Sequence, residues 1–426
     1  MPEVNKMLKM LSEGAFDERL KEVYVTDAAV EDEKQREKKI IESFASLYGD
    51  GDIALFSAPG RTELGGNHTD HNHGRVLAAS VNLDAVAAAA ATGDMTATEM
   101  TEGHALIKID ISDLEVHPEE YGKSEGLIRG VCAGFKRAGY KIGGFNAASA
   151  SKVMAGSGLS SSAAYEVLIG TILNNLFNDG KVDAVEIAKI AQFAENEYFG
   201  KPCGLMDQTA SAVGNFISID FKIPSEPVIN KVDFDFASCG HALCIIDTGG
   251  SHAGLTEDYA AIRGEMESAA AVFGKSVLRD VEQSEFMANI PLVRKKCGDR
   301  AVLRAIHFYN ENRRAEAQAV ALSQGDFEEF KNLVIESGRS SFMLNQNVYS
   351  CKNPQSQGVA VALALCEEEL RGRGAWRVHG GGFAGTVQAF VPNDLLAGFI
   401  ERLEGVFGIG ACHVLSIRSF GGIKLY

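Results

Sequence analysis

The chain has 426 residues, of which 46% are hydrophobic and 23% are charged, and its formal net charge is −16. This composition is typical of a folded globular protein, and the length suggests two hydrophobic cores rather than one. The negative charge disfavours binding to nucleic acid and to anionic membranes, and no apolar run approaches the roughly 20 residues of a membrane-spanning helix. We therefore expect a cytoplasmic protein without nucleic-acid or membrane partners.

The first 48 residues have the apolar spacing of amphipathic helices. The charged segment that ends this region predicts one buried helix face, formed by Ile40, Ile41, Phe44 and Leu47. From residue 53 onward, short apolar runs such as IALFSAPG and RVLAASVNLDAVAAAA favour buried strands. We predict a helical extension over residues 1–48, followed by a sheet.

The remaining elements predict two α+β domains. Residues 145–177 have the pattern of a strand, a glycine turn and a long apolar helix, and two further helices complete a domain over residues 49–220. The second domain, residues 221–426, begins with the strand HALCIIDTGG and continues with three helical segments between about 256 and 337. Its end contains two strand candidates that flank a helix.

The segment GSGLSSSAA, residues 156–164, combines glycines with a serine-rich helix start. Glycines let the backbone approach a ligand closely, and the first N–H groups of a helix attract an anion. The serines add hydroxyl groups for a phosphate or for Mg²⁺, although a plain glycine turn with a helix cap is the structural alternative. The tripeptide GKS at 274–276 is not a P-loop, because Ala269 stands where that motif requires glycine.

Three other stretches contain residues suited to chemistry. Glu195 lies on a predicted helix and Asp207 follows a tight turn, so one could hold a metal while the other handles a proton, although isolated carboxylates are usually surface residues. The histidine-rich stretch GRTELGGNHTDHNHG, residues 60–74, suits either metal ligands or polar groups around a hydroxylated molecule. Glycines in HGGGFAGTVQAFV, residues 379–391, suit close approach to a phosphate or to another main chain. The eight cysteines contain no CxxC pair, which disfavours a zinc ribbon.

Taken together and in order, these stretches resemble the galactokinase family of the GHMP kinase superfamily. APGRTELGGNHTDHNHGRVLAASV resembles its N-terminal signature, GSGLSSSAA its phosphate loop, CGLMDQ its catalytic loop and HGGGFAGT its C-terminal motif. The resemblance runs from about residue 50 to the C-terminus. It implies an ATP-dependent sugar 1-kinase of α+β class, with an N-terminal mixed sheet, a C-terminal ferredoxin-like α/β sandwich and the active site in the cleft between them.

The resemblance also implies roles for individual residues. Asp207 is expected to be the general base at the sugar C1 hydroxyl, with Arg61 beside it to keep the carboxylate ionised and to stabilise the transferred phosphoryl group. Ser162 and Glu195 are expected to hold Mg²⁺. The phosphate loop is expected to wrap around the ATP phosphates. It consists of Gly156, Ser157, Gly158, Leu159, Ser160, Ser161 and Ser162.

The expected sugar contacts include one departure from the family pattern. Positions matching sugar-contacting residues are His68, Asp70, Gly204 and Tyr259. The stretch NHTDHNHG is therefore better explained by hydroxyl-binding groups than by a metal cluster. Galactokinases usually present a glutamate to the sugar O6 hydroxyl where this chain has Asn67, and an amide can donate a hydrogen bond there.

Three alternatives stay open on sequence grounds. The first is a sugar 1-kinase for a galactose relative altered at C6 or C2, such as galacturonic acid or N-acetylgalactosamine. The second is a galactokinase-like sensor that binds ATP and sugar without turnover, although its phosphate loop and Asp207 are intact. The third is a hydrolase with a histidine-bound metal. Smaller departures from the family are Ser251 and Met154, neither of which removes a catalytic group.

Overall fold

The computed structural model describes residues 2–25, 27–153, 158–251 and 254–426. Its α-helices are α1 (Val4–Ser12), α2 (Asp17–Tyr24), α3 (Asp27–Tyr48), α4 (Ser124–Arg137), α5 (Ser161–Phe177), α6 (Ala184–Phe193), α7 (Met206–Val213), α8 (Thr256–Ala271), α9 (Gln283–Ala288), α10 (Ile290–Cys297), α11 (Asp299–Ser323), α12 (Phe327–Ser340), α13 (Gly358–Leu370) and α14 (Leu396–Phe407). Its strands are β1 (Ala54–Gly65), β2 (Arg75–Ala91), β3 (Thr96–Thr101), β4 (Ile107–Asp110), β5 (Phe145–Ser151), β6 (Phe216–Asp220), β7 (Val228–Val232), β8 (His241–Asp247), β9 (Ala375–Val378), β10 (Thr386–Pro392), β11 (Cys412–Leu415) and β12 (Ile423–Lys424). None of the helices in these ranges is long and apolar enough to cross a membrane.

The larger sheet is mixed. Its strand order is β12-β1-β2-β5-β3-β4, with β6 paired to β2 and β7 to β6. The β3–β5 pair is parallel, whereas the other pairs are antiparallel. Because successive strand residues face opposite sides, Ala85, Ala87 and Ala89 of β2 enter a core with α4 to α7, while Val86 and Ala88 enter a second core.

The second core holds the N-terminal helices against the sheet. Ile40, Ile41 and Phe44 of α3 are buried there, as their spacing predicted, together with Leu425 from the C-terminus. Leu47, predicted on the same face, is 39% exposed and lies in the last turn of the helix. The extension is thus packed on the sheet that carries β1 and β5.

The smaller sheet is antiparallel, with strand order β11-β8-β10-β9. One face packs on α13 and α14 through Cys244 and Ile246. The other face packs on α12 through Leu243 and Ile245, in a core shared with the larger sheet. Two sheets with helices on their faces confirm the predicted α+β class.

No single position in the sequence separates the strands of the larger sheet from those of the smaller sheet. Strands β7 and β12 belong to the larger sheet although both follow residue 220. A boundary at 220 therefore leaves two strands of that sheet in the second segment. The division into residues 1–48, 49–220 and 221–426 stays a prediction.

Candidate active site

The centre of the site is a carboxylate held by two partners. Arg61, near the end of β1, donates from Nε to Oδ1 and from Nη2 to Oδ2 of Asp207, each over 2.7 Å. Ser160, just before α5, donates from Oγ to Oδ2 of Asp207 over 2.7 Å. Asp207 lies in the first turn of α7 and its side chain is 29% exposed, whereas Arg61 is 8% exposed. The carboxylate is therefore fixed in orientation and still accessible.

The charges of this pair keep the aspartate ionised. Burial raises the pKa of Asp207, but the charge and hydrogen bonds of Arg61 and the hydroxyl of Ser160 lower it by more. The pKa of Asp207 therefore lies below its usual range. The same pairing raises the pKa of Arg61 against the opposing effect of burial. A planar guanidinium that binds both oxygens is the strongest geometry for such a pair.

Backbone geometry sets the position of Ser160. It has φ 61° and ψ 66°, a left-handed conformation that is uncommon for serine, and its side chain makes no capping hydrogen bond to α5. The alternative that this serine only caps a helix is therefore not what the geometry shows. Its hydroxyl contacts Asp207 instead.

The rest of the phosphate loop lies beside Arg61. The carbonyl of Gly158 accepts from Arg61, and the carbonyl of Leu159 accepts from the Arg61 backbone N–H over 3.0 Å. A side chain at Gly158 would press on His379, because a Cβ there would lie 2.9 Å from its Nδ1. The Leu159 side chain is fully buried, and Ser161 begins α5. Two predicted loop residues lie outside the described residues, Gly156 and Ser157.

The two expected Mg²⁺ ligands are adjacent. Ser162 Oγ donates to Oε1 of Glu195 over 3.0 Å. Glu195 lies in a π-helical turn, Ala194–Tyr198, that continues α6, and such turns recur at functional sites. Its second oxygen, Oε2, accepts from Gln208 Nε2 over 2.7 Å, and Lys201 Nζ lies 2.9 Å from Oε1.

The predicted sugar-contacting positions fall in two groups. Asp70 meets Gly204, where an added Cβ would collide with Oδ2 of Asp70 and displace the carboxylate. His68 donates from Nε2 to the Gly381 carbonyl over 2.8 Å, which leaves Nδ1 as an acceptor, and Tyr259 donates to the Gly382 carbonyl over 2.8 Å. The glycine segment 380–382 thus links His68 to Tyr259.

Burial also changes the titration of these groups. It raises the pKa of Asp70 to about 6, although the hydrogen bond from the His71 backbone lowers it. It lowers the pKa of His68 and raises the pKa of Tyr259 to about 12. In the described part of the chain, no group of three or more His, Cys, Asp or Glu side chains is placed to hold a metal ion.

Asn67 is placed differently from the expectation. Its side chain is fully buried, and its Nδ2 donates to Glu63 Oε1 over 3.0 Å and to the Gly380 carbonyl over 2.8 Å. Its Oδ1 accepts from Ser341 over 3.2 Å and from Asn347 over 2.9 Å. All four hydrogen-bonding positions of the amide are occupied by protein. A direct bond to a sugar O6 hydroxyl would require one of these contacts to be given up, and the predicted contact stays a prediction.

Comparisons with known proteins identify the family. Residues 42–91 match the galactokinase galactose-binding signature, and residues 126–215 match the GHMP kinases N terminal domain. The chain is 31% identical to a galactokinase of Streptomyces coelicolor over 381 residues, which cover 86% of this chain and 92% of that protein. The chain belongs to the galactokinase family. A galactokinase of Clostridium tetani is 29% identical over 85% of this chain and 90% of its own length.

Solved structures share this fold. The Lactococcus lactis galactokinase complexed with galactose has a TM-score of 0.75 and 26% identity, and covers 90% of this chain and 98% of its own. The Methanococcus jannaschii mevalonate kinase has a TM-score of 0.61 and 13% identity, over 86% of this chain and 99% of its own, and shares the fold alone.

Three residues that line this galactokinase-type site had no assigned role from the sequence. Lys201 and Gln208 contact Glu195, and His379 lies between Thr62 and Thr386, 3.1 Å and 3.0 Å from their hydroxyl oxygens. Lys201 lies two residues before the CGLMDQ motif, and Gln208 is its last residue. Their closeness to Asp207 in the sequence is the one signal that could have marked them as site residues. Nothing in the sequence indicates which of their neighbours they contact.

Proposed function

We propose that this chain is a galactokinase that transfers the γ-phosphoryl group of ATP to the C1 hydroxyl of galactose. The observation that carries the proposal is the accessible carboxylate of Asp207, held by Arg61 and Ser160 at the start of the phosphate-loop helix. This places a base and a cation beside a helix N-terminus, which suits a nucleotide phosphate. The family relatives from Streptomyces coelicolor and Clostridium tetani are galactokinases.

In the proposed reaction, Asp207 accepts the proton of the C1 hydroxyl while the hydroxyl oxygen attacks the γ-phosphorus. The bond between that phosphorus and the β,γ-bridging oxygen breaks, and ADP leaves. Arg61 keeps Asp207 ionised before the reaction and lies where its charge also stabilises the transferred group. Phosphoryl transfer depends mainly on such positioning and charge stabilisation.

Mg²⁺ is part of the proposal, with Ser162 and Glu195 as its ligands. The two side chains offer adjacent hard oxygen donors, which Mg²⁺ prefers, and the contact of Lys201 with the same Glu195 oxygen indicates that this position suits a cation. When bound, the ion would neutralise phosphate charge. The use of ATP also supports a cytoplasmic location, where ATP is available.

The sugar assignment rests on Asp70, His68 and the close approach of Gly204. An ionised Asp70 can accept from two neighbouring sugar hydroxyls, and the free Nδ1 of His68 can accept from one. Galactose is the proposed sugar. The second candidate, a galactose relative altered at C6, rests on Asn67 alone, whose amide is fully bonded to protein.

A substrate panel tests this assignment. With ATP and Mg²⁺, we expect the native protein to phosphorylate galactose in preference to 6-deoxygalactose, galacturonic acid and N-acetylgalactosamine. Absence of ADP formation with all four sugars would contradict the proposed function. Asn67→Glu is the informative variant: unchanged selectivity relative to native protein would show that this position does not read C6, whereas a gain for galactose over 6-deoxygalactose would show that it does. The expected size of such a change is roughly ten- to a hundredfold.

A further inference from the structure

The carboxylate of Glu195 is divided between two kinds of partner. Its Oε2 is bound by the Gln208 amide, which also donates to Glu166 Oε2 over 3.2 Å. Its Oε1 contacts Ser162 and the Lys201 ammonium. Because an amide N–H is neutral and confined to Oε2, the only cation on this carboxylate within the described residues is Lys201, on the oxygen next to the phosphate-loop helix.

Lys201 is placed to be a movable counter-ion. The Glu195 side chain is 2% exposed, whereas that of Lys201 is 61% exposed, so the ammonium approaches a buried charge from solvent. The loop itself is anchored, because the Lys201 N–H donates to the Glu195 carbonyl over 3.1 Å and the Cys203 N–H donates to Asn196 Oδ1 over 2.7 Å. A lysine has four flexible carbons between its backbone and its charge, so the ammonium can move while the loop does not.

The buried surroundings of Glu195 favour a cation beside it. Glu166 is fully buried close to Glu195, and burial together with the charge of Glu195 raises the pKa of Glu166. The fields of Lys201 and Asp207 also affect each other: Lys201 contributes to the lowered pKa of Asp207, and Asp207 to the raised pKa of Lys201. The ammonium therefore contacts the proposed metal ligand and acts electrostatically on the proposed base.

We propose that Lys201 is a further phosphate-binding residue, which neutralises Glu195 before the nucleotide binds and turns to the nucleotide phosphates when a divalent cation takes its place on Glu195. The inference rests on the proposed function of the site as a nucleotide site. It predicts two separate effects of removing the ammonium: metal-free ATP binds less tightly, because Glu195 then faces the phosphates without its counter-ion, and a divalent cation alone binds more tightly, because no ammonium competes for Glu195.

The test compares Lys201→Met, which keeps a side chain of similar length without the charge, with Lys201→Arg, which keeps the charge. The matched control is Lys181→Met, because Lys181 is an exposed lysine paired with Asp179 in the turn that follows α5. Calorimetry with ATP in EDTA, and electron paramagnetic resonance with Mn²⁺ alone, give readouts that need no sugar and no turnover. Glu195→Gln should weaken Mn²⁺ binding, which checks that the ion is bound where the proposal requires.

We expect the dissociation constant of metal-free ATP to rise about five- to tenfold in Lys201→Met, the size expected for the loss of one partly exposed positive charge near the phosphates, and to recover in Lys201→Arg. Mn²⁺ binding should tighten in Lys201→Met only. If either affinity of Lys201→Met equals that of the native protein, or if Lys181→Met changes as much, the proposal is overturned. Failure to phosphorylate galactose with both effects present would instead contradict the sugar assignment.

Discussion

Asp207 accepts one hydrogen bond at Oδ1, from Arg61, and two at Oδ2, from Arg61 and Ser160, and its side chain is still 29% exposed. This combination favours a group that receives a proton from one direction only. It also means that the protonation state and the orientation of the carboxylate depend on the same contacts, so a substitution of either partner would affect both.

At this scale the first prediction is that Asp207→Asn lowers kcat by at least ~10², because an amide cannot accept the proton, while ATP affinity stays nearly unchanged. Steady-state kinetics and calorimetry with ATP measure the two effects. Asp220→Asn is a matched control, since Asp220 is also bound by arginines, Arg75 and Arg279, on the edge of β6. Near-normal turnover of Asp207→Asn would remove it from the proposed chemistry.

The second prediction concerns Asp70, whose pKa is raised to about 6 mainly by burial. Only the ionised form accepts from two hydroxyls, so galactose affinity should be constant well above that pKa and fall as the pH drops through it. Well below it, the loss should approach roughly tenfold per pH unit, as for any single required deprotonation. Calorimetric titrations across this range measure it. Asp70→Asn should bind more weakly without the pH dependence, and a retained dependence would assign the titration to another group.

At the scale of elements, Asp84 of β2 connects four other segments of the chain. It accepts hydrogen bonds from Tyr24 at the end of α2, Arg36 of α3, Ser57 of β1 and Arg418 near the C-terminus. The Asp84 side chain is fully buried. The same region contacts the segment after β5, because Lys152, which follows that strand, pairs with Glu33 of α3. The helical extension is therefore joined to the strand that leads into the loop.

The third prediction is that Asp84→Asn lowers the free energy of unfolding by about 3–5 kcal/mol, because the buried guanidinium of Arg418 loses its counter-charge and Arg36 keeps only Glu33. Urea unfolding at neutral pH measures it. Burial raises the pKa of Asp84, but the charges of Arg36 and Arg418 lower it by more. The folded-state pKa of Asp84 is therefore below its usual value. Its stabilisation is thus present above the unfolded pKa and lost as the pH falls through the lower folded value.

The control for this prediction is Tyr24→Phe, which removes one neutral donor from Asp84 and should cost only about 1 kcal/mol. A similar cost for both variants would indicate that the charge of Asp84 contributes little. An unchanged stability of Asp84→Asn would contradict the account of the extension as an integral part of the fold.

At the scale of the whole molecule, the two sheets share one interior. Arg377 of β9 and Glu63 of β1 form a buried ion pair, and Gln388 of β10 donates to Thr62 over 2.6 Å and to the Glu63 carbonyl over 3.0 Å. Apolar residues of both sheets also pack in one core. Such an interface favours unfolding of the sheets as one unit.

The fourth prediction uses the single tryptophan of the chain, Trp376 of β9, as a reporter of the smaller sheet. Its fluorescence and far-ultraviolet circular dichroism should give coincident urea transitions. Arg377→Met should move both transitions together to lower urea concentration. The free energy of unfolding should fall by about 3–5 kcal/mol, because Glu63 is left buried without its partner. Separate transitions in the native protein would show that the two sheets unfold independently.

Much of this protein is decided by short stretches of sequence. Helical spacing in residues 1–48, alternation in β2 and the order of the glycine and serine motifs depend on neighbours a few residues apart, and they identified the α+β class and the family. The same locality made Arg61, Asp207, Ser162 and Glu195 candidates, because each lies within a motif whose residues are contiguous.

Tertiary structure alone decided which of these residues meet and what each side chain has left to offer. Asn67 differs from the family in sequence, yet its partners Gly380, Ser341 and Asn347 lie more than 270 positions away, so nothing local shows that its amide is fully bonded. In the sequence, nothing distinguishes Lys201 from any other surface lysine, and only the fold places Glu195 beside it. Burial, hydrogen-bond saturation and charge pairing are set by contacts between distant segments, and only the folded chain determines them.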